Sequence, residues 1–286
     1  MCIGLPKTID NDLPITDNCP GFGSVAKYIA TSTLEASLDV KSMCKTSTKV
    51  FILEVMGRHA GWLAASAGVI KEKTGDAPHL ILLPEIKFNQ SLFLKKVKET
   101  TLRYGYCVIV ASEGIKDGKN KFLSDSGLKD SFGHAQLGGV APVLSSIINN
   151  KLKYKVHWAV SDYLQRAARH IASRVDVDQA YALGLESIKV AKTNINNIML
   201  IIKNDSMKQN YKWSISSTNL DNVANVEKML PKSFIKSNGF EITKSCKQYI
   251  LNLIQGEDYP TYENGFPRYA KLECITIKKK LASYKL

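Results

Sequence analysis

The sequence predicts an α/β protein of the doubly wound kind, with parallel sheets in two Rossmann-like lobes, the first of them incomplete. Three observations predict it. Short apolar runs alternate with stretches of helical period. The runs are unbroken, as strands buried on both faces are, and do not alternate like strands with one wet face. Polar, glycine-containing segments follow the strand ends, where open α/β sheets hold their ligands.

In chain order, Phe22–Met43 carries Val25, Ile29, Leu34 and Leu38 near helical spacing. Val50–Val55 reads as a buried strand, and Ala60–Lys73 as the next helix. His79–Leu83 is a strand, Gln90–Tyr104 a helix and Tyr106–Val110 a strand. Gly139–Leu152 and Lys155–Val160 continue the alternation. Val177–Lys192 is a helix whose start carries Asp176 and Asp178, and carboxylates favour a helix N-terminus. Ile198–Ile202 is a strand, and the polar stretch 204–232 reads as a hairpin with an excursion. No internal repeat and no low-complexity segment interrupts the pattern.

Composition bounds the function. With 286 residues, 44% of them hydrophobic, the chain can bury one large core or two modest ones. No apolar run reaches the ~18 residues of a membrane span, so no membrane partner is expected. The start, Met1-Cys2-Ile3-Gly4-Leu5-Pro6-Lys7, has no basic region followed by an apolar one and does not read as a signal peptide. Six cysteines without a CxxC pair predict reduced thiols and a cytoplasmic location. The formal charge of +13 fits a polyanionic partner, a lysine-biased composition or a phosphate-handling site. Lysine supplies 33 of the 39 basic residues, and no basic stripe with interleaved aromatics occurs. A nucleic-acid partner is therefore not expected.

Four segments at strand ends carry chemistry. Gly4-Leu5-Pro6-Lys7-Thr8-Ile9-Asp10-Asn11-Asp12 precedes a helix. In an extended loop its two carboxylates face one pocket, and Lys7 and Thr8 can bind an anion there. From spacing alone, a solvated Asp-rich turn fits equally well. In Glu54-Val55-Met56-Gly57-Arg58-His59-Ala60-Gly61-Trp62, Gly57 permits close backbone approach and Arg58 offers a planar fork to a phosphate or hydroxyl. An Arg that merely shapes its loop is the plainer alternative. Ser112-Glu113-Gly114 offers a hydroxyl-binding carboxylate, or a surface turn. In Asp162-Tyr163-Leu164-Gln165-Arg166, Tyr163 and Arg166 share a face if the segment is helical. An ordinary amphipathic segment fits that one too. Together the four would line one crevice.

These segments resemble the phosphofructokinase family. Pro6-Lys7-Thr8-Ile9-Asp10-Asn11-Asp12 is similar to its sugar-phosphate and catalytic loop. Met56-Gly57-Arg58, Ser112-Glu113-Gly114 and Tyr163-Leu164-Gln165-Arg166 resemble its other sugar-contacting loops. Pro20-Gly21-Phe22-Gly23-Ser24, Phe132-Gly133-His134-Ala135-Gln136-Leu137-Gly138-Gly139 and Gly265-Phe266-Pro267 also fit. The matches run in order from about residue 3 to about residue 272.

The resemblance implies transfer of a phosphoryl group to the 1-position of fructose 6-phosphate, with Mg²⁺ on the donor. Asp10 would be the general base, Asp12 would orient it or the metal, and Thr8 would contact the transferring group. Met56, Gly57, Arg58 and Glu113 would hold the sugar, and Tyr163 and Arg166 its 6-phosphate. Lys49 occupies the place of a cation that reaches a neighbouring subunit's site, which implies a homo-oligomer, a dimer or tetramer. Lys7, Tyr163 and His59-Ala60-Gly61-Trp62 resemble the pyrophosphate-using members; ATP remains the alternative donor. A non-catalytic sugar-phosphate-binding subunit is the other alternative.

The resemblance also implies a glycine-rich donor loop and a metal-binding Asp well before Pro6. None lies in this chain, so no metal ligand is expected within it, and residues 1–20 are expected to be loosely held beside an open sheet edge. The implied lobes are 1–21 with 165–245, for donor and catalysis, and 22–164, for the sugar phosphate. Residues 246–286 would form a C-terminal extension.

Overall fold

A computed structural model describes residues 1–129, 135–137, 139–206 and 211–282. In chain order the elements are β1 (Ile3–Gly4), α1 (Phe22–Met43), β2 (Val50–Val55), α2 (Trp62–Ser66), β3 (Leu80–Leu82), α3 (Gln90–Tyr104) and β4 (Cys107–Ser112). A hairpin of β5 (Asp125–Lys129) and β6 (Ala135–Leu137) follows. Next come α4 (Val140–Leu152), β7 (Val156–Val160), α5 (Asp162–Ala167), α6 (Arg174–Ala191), β8 (Ile198–Asn204), β9 (Trp213–Asn219), α7 (Lys244–Leu253), β10 (Tyr262–Glu263) and β11 (Phe266–Pro267).

The larger sheet has the order β3-β4-β2-β7, and every pairing in it is parallel. Its apolar strands divide their side chains between two helical layers. Val50, Ile52, Leu80, Leu82, Cys107 and Ile109 pack with Phe93 and Val97 of α3 and with Leu144 and Ile148 of α4. Leu53, Val55, Ile81 and Val110 pack with Phe22, Ile29, Leu63 and Ile250 on the opposite side. This two-sided burial is why the runs are continuous. The smaller sheet joins β1 to β8 in parallel and β8 to β9 as an antiparallel pair; 204–232 supplies only the second strand of that hairpin, whose first strand is the one expected at 198–202. Among the described residues no helix is long and apolar enough to cross a membrane.

Several expectations change. The strand 155–160 was expected to be buried, yet β7 pairs only with β2 and leaves Trp158 46% and Val160 39% exposed. Edge position, which composition does not encode, decides this. The helix expected over 60–73 is α2 followed by a 3₁₀ turn at Ala67–Ile70. Gly68 sits within that turn, where a Cβ would stand 2.6 Å from Ile242 Cγ1. Cys246, Ile250 and Leu253, placed by sequence in a C-terminal extension, belong to the main core. Residues 1–20 are tied down, not loose: β1 pairs with β8, and the Thr16 hydroxyl accepts from Ile202 N (3.0 Å). The segment 132–134 and Gly138 lie outside the described residues.

Asp176 also departs from expectation. It starts α6, but its buried carboxylate caps another helix. It accepts from Gly21 N (2.8 Å), Ser24 N (3.2 Å) and Ser24 Oγ (2.6 Å) at the N-terminus of α1. Burial raises its pKa despite these donors. Asp176→Ala would leave amides at a buried helix start unpaired. A loss of about 2–3 kcal/mol is expected, read as a lower urea midpoint at unchanged slope.

Candidate active site

The loop 6–19 runs from β1 to α1 and is shaped by buried polar contacts. Asn11 adopts left-handed backbone (φ 54°), which Asn tolerates better than most residues. Its fully buried side chain accepts from Cys19 N (3.0 Å) and donates to the Tyr249 hydroxyl (2.9 Å). Tyr249 in turn donates to Asp17 O (2.7 Å). Thr16 N donates to Pro14 O (2.8 Å) around Ile15 at φ 69°, a strained γ-turn for a β-branched residue.

This frame presents Thr8, Asp10 and Asp12. Thr8 Oγ1 donates to Asp10 Oδ2 (3.2 Å) and accepts from Asp10 N (3.1 Å), which orients the carboxylate. Burial raises the Asp10 pKa above the ordinary carboxylate value. The Thr8 hydroxyl and the charges of Lys7, Arg166 and Arg58 oppose the rise. Asp12 is raised by burial and by the charge of Asp10, with Lys228 opposing.

The second and third segments form one unit. Gly57 (φ 129°) donates from its amide to Glu113 Oε1 (3.3 Å), and Ser112 Oγ donates to Gly57 O. Glu113 N donates to Val55 O (3.0 Å). Gly114 closes the contact: a Cβ there would stand 2.0 Å from the Arg58 carbonyl oxygen and 2.5 Å from that of Gly57. Burial raises the Glu113 pKa; the Gly57 amide and Arg58 oppose this, and the charges of Glu54 and Asp10 add to it. Met56 is half-buried against the core.

The fourth segment is the short helix α5, with the Arg166 guanidinium 4.4 Å from the Tyr163 ring centroid. The two do share a face, and both are exposed. Next to Arg166 lies a cavity of about 200 Å³ bordered by Ile9, Gly21, Ser24 and Gln165. Gln165 Oε1 is buried without a hydrogen-bond partner.

The structure thus brings Lys7, Asp10, Arg58, Glu113 and Arg166 within one electrostatic field, from four segments spread over 160 positions. Lys49 does not join them within this chain. It lies at the opposite end of β2, and its ammonium donates to the Cys44 carbonyl. Glu54 serves the fold: its buried carboxylate accepts from Ala141 N (2.7 Å) at the start of α4. Among the described residues no group of three or more His, Cys, Asp or Glu side chains could hold a metal ion.

The sequence reading missed Tyr249 and Lys228, both wrapped against loop 6–19 from more than 200 positions away. Nothing in their neighbours' spacing marks them, because their partners exist only in the folded chain.

The phosphofructokinase family model matches residues 1–191. The pyrophosphate–fructose 6-phosphate 1-phosphotransferase of Halomonas elongata is 56% identical over 284 residues, covering 99% of this chain and 68% of the relative. The protein of the same name from Methylococcus capsulatus is 52% identical over 283 residues, covering 99% and 67%. The crystal structure of the pyrophosphate-dependent phosphofructokinase from Marinobacter aquaeolei superposes with a TM-score of 0.89 at 53% identity, over 100% of this chain and 68% of that one. By family match, identity and fold, the chain belongs to the phosphofructokinase family.

Proposed function

We propose that this protein is a phosphotransferase that moves a phosphoryl group from pyrophosphate to the 1-hydroxyl of fructose 6-phosphate, giving fructose 1,6-bisphosphate and phosphate. The observation that carries the reading is the shared field at Asp10: a half-buried, oriented carboxylate flanked by three cations from three segments. Asp10 takes the hydroxyl proton. The resulting alkoxide forms the new P–O bond as the bridging P–O bond of pyrophosphate breaks. A base whose pKa is lifted toward the working pH binds that proton more effectively. Thr8 holds the base in register. Arg58 and Glu113 hold sugar hydroxyls, with Met56 and Gly57 beneath them, and Arg166, braced on Tyr163, takes the 6-phosphate.

Lys7 is exposed at the entrance of the loop, where its ammonium favours the all-phosphate donor over a nucleotide. Mg²⁺ is expected on the donor. Bound with the donor, the ion would neutralise charge on the transferring group.

The assay follows product with Mg²⁺, fructose 6-phosphate and either donor, with this chain supplemented by the glycine-rich donor segment that the family resemblance implies. Turnover is expected with pyrophosphate well above that with ATP, and absence of turnover with both would overturn the reading. In the same assay Arg166→Ala is expected to raise the KM for fructose 6-phosphate roughly 10- to 100-fold, the worth of a hydrogen bond to a charged group. The kcat and the melting temperature should change little, since Arg166 is exposed.

A further inference from the structure

Residues 227–230 cross from the end of the sheet region to the active-site loops and touch both of the first two. His59 Nδ1 and Glu227 Oε1 lie 2.7 Å apart. Trp62 Nε1 donates to Lys228 O (2.9 Å), and Leu230 N donates to Glu85 Oε1 (3.0 Å), which also accepts from Gly61 N (2.9 Å). On the other side, Lys228 N donates to Asp12 O (2.6 Å). The Lys228 ammonium donates to Thr16 O (3.1 Å) and Asp17 O (2.9 Å), directly after the strained turn at Ile15. It also lies 5.3 Å from the Trp62 ring centroid.

Resting on the phosphotransfer reading, we infer that Lys228 is a positioning residue: its segment straps the loop bearing Asp10 and Asp12 to the loop bearing Arg58, and its ammonium holds the turn after Ile15 in place. Two physical facts carry this. A strained turn persists only where its surroundings over-determine it, and here one ammonium satisfies the two carbonyls that follow the turn. A half-buried cation is retained only where charges or acceptors compensate it. Burial lowers the Lys228 pKa, while Cys19, Asp17 and Asp12 oppose the fall.

The test compares Lys228→Gln, which keeps donors without charge, with Lys228→Arg, which keeps both. For Lys228→Gln we expect kcat to fall about tenfold or more with the KM for fructose 6-phosphate within about threefold. Amides between 12 and 18 should exchange with solvent at least tenfold faster, and Lys228→Arg should recover most of each effect. A lysine that only filled space would leave exchange of the 12–18 amides unchanged in Lys228→Gln. That result, or wild-type kinetics and exchange in Lys228→Gln, would overturn the inference. If the unmodified protein shows no turnover but Lys228→Gln still loosens the loop, the strap stands and the phosphotransfer reading falls. Should Lys228→Gln not fold, exchange on the unmodified protein decides. The Asp17 amide, bonded to Ile202 O at 2.8 Å, is expected to match the slow amides of β8, and exchange at a free-loop rate would refute the strap.

Discussion

Replacing Asp10 by asparagine is expected to lower kcat by about 10³-fold, the scale of a lost general base, while the KM for fructose 6-phosphate stays within a few-fold. The asparagine keeps the volume and an acceptor for the Thr8 hydroxyl, so the loop retains its shape. It cannot take a proton from the sugar. The same substitution should not destabilise the fold at neutral pH. Burial raises the folded-state pKa of Asp10, so the native state binds this proton more tightly than the unfolded chain does. The ionised carboxylate therefore opposes folding, increasingly as pH climbs from the unfolded value through the folded one. Asp10→Asn escapes that cost, and its melting temperature at pH 7 is expected to equal or exceed that of the unmodified protein. At pH low enough to protonate both states the two should converge. A variant with near-native kcat would remove Asp10 from the chemistry.

Gly114→Ala is expected to disable the site from the opposite direction, through the backbone. The added methyl would stand 2.0 Å from the Arg58 carbonyl oxygen, far inside van der Waals contact. The obstacle is main chain, which has no rotamer to change. Either the Glu113 segment or the Arg58 segment must retreat, breaking the Gly57 amide contact to Glu113 and the Ser112 contact to Gly57 O. Overpacking of this kind costs about 3 kcal/mol, which for a chain of this length corresponds to a melting temperature lower by roughly 6–12 °C. The KM for the sugar phosphate should rise at least tenfold, since Arg58 and Glu113 move apart. Calorimetry and steady-state kinetics check the two effects separately. Native stability in Gly114→Ala would show that the loops are less tightly joined than the structure holds.

Much of the fold was legible because its signals are local. The helices at 22–43 and 90–104 are bounded by Gly21 at φ 108° and by Asn89 and Gly105 as caps, all visible as residue types before and after a periodic stretch. The strands of the larger sheet announced themselves as continuous apolar runs because each feeds two helical layers. The pairing of Tyr163 with Arg166 followed from helical spacing alone. What was not legible depends on where each element ends up. β7 has the composition of a central strand and lies at an edge. Asp176 sits at the start of α6 and caps α1. Cys246, Ile250 and Leu253 look like part of a trailing segment and fill the main core.

The sequence by itself determined the order of strands and helices, the four polar strand ends and the residue types the chemistry needs. Each of these rests on neighbours a few positions apart. Only the tertiary structure decided that Arg58 and Arg166 share a field with Asp10, that the Glu54 carboxylate accepts from a helix-start amide while that of Glu113 accepts from Gly57 N, and that the Lys228 ammonium donates to the loop 6–19. Those outcomes depend on contacts between distant parts of the chain. Electrostatic and hydrogen-bond energies depend on distance and burial, which only packing assigns.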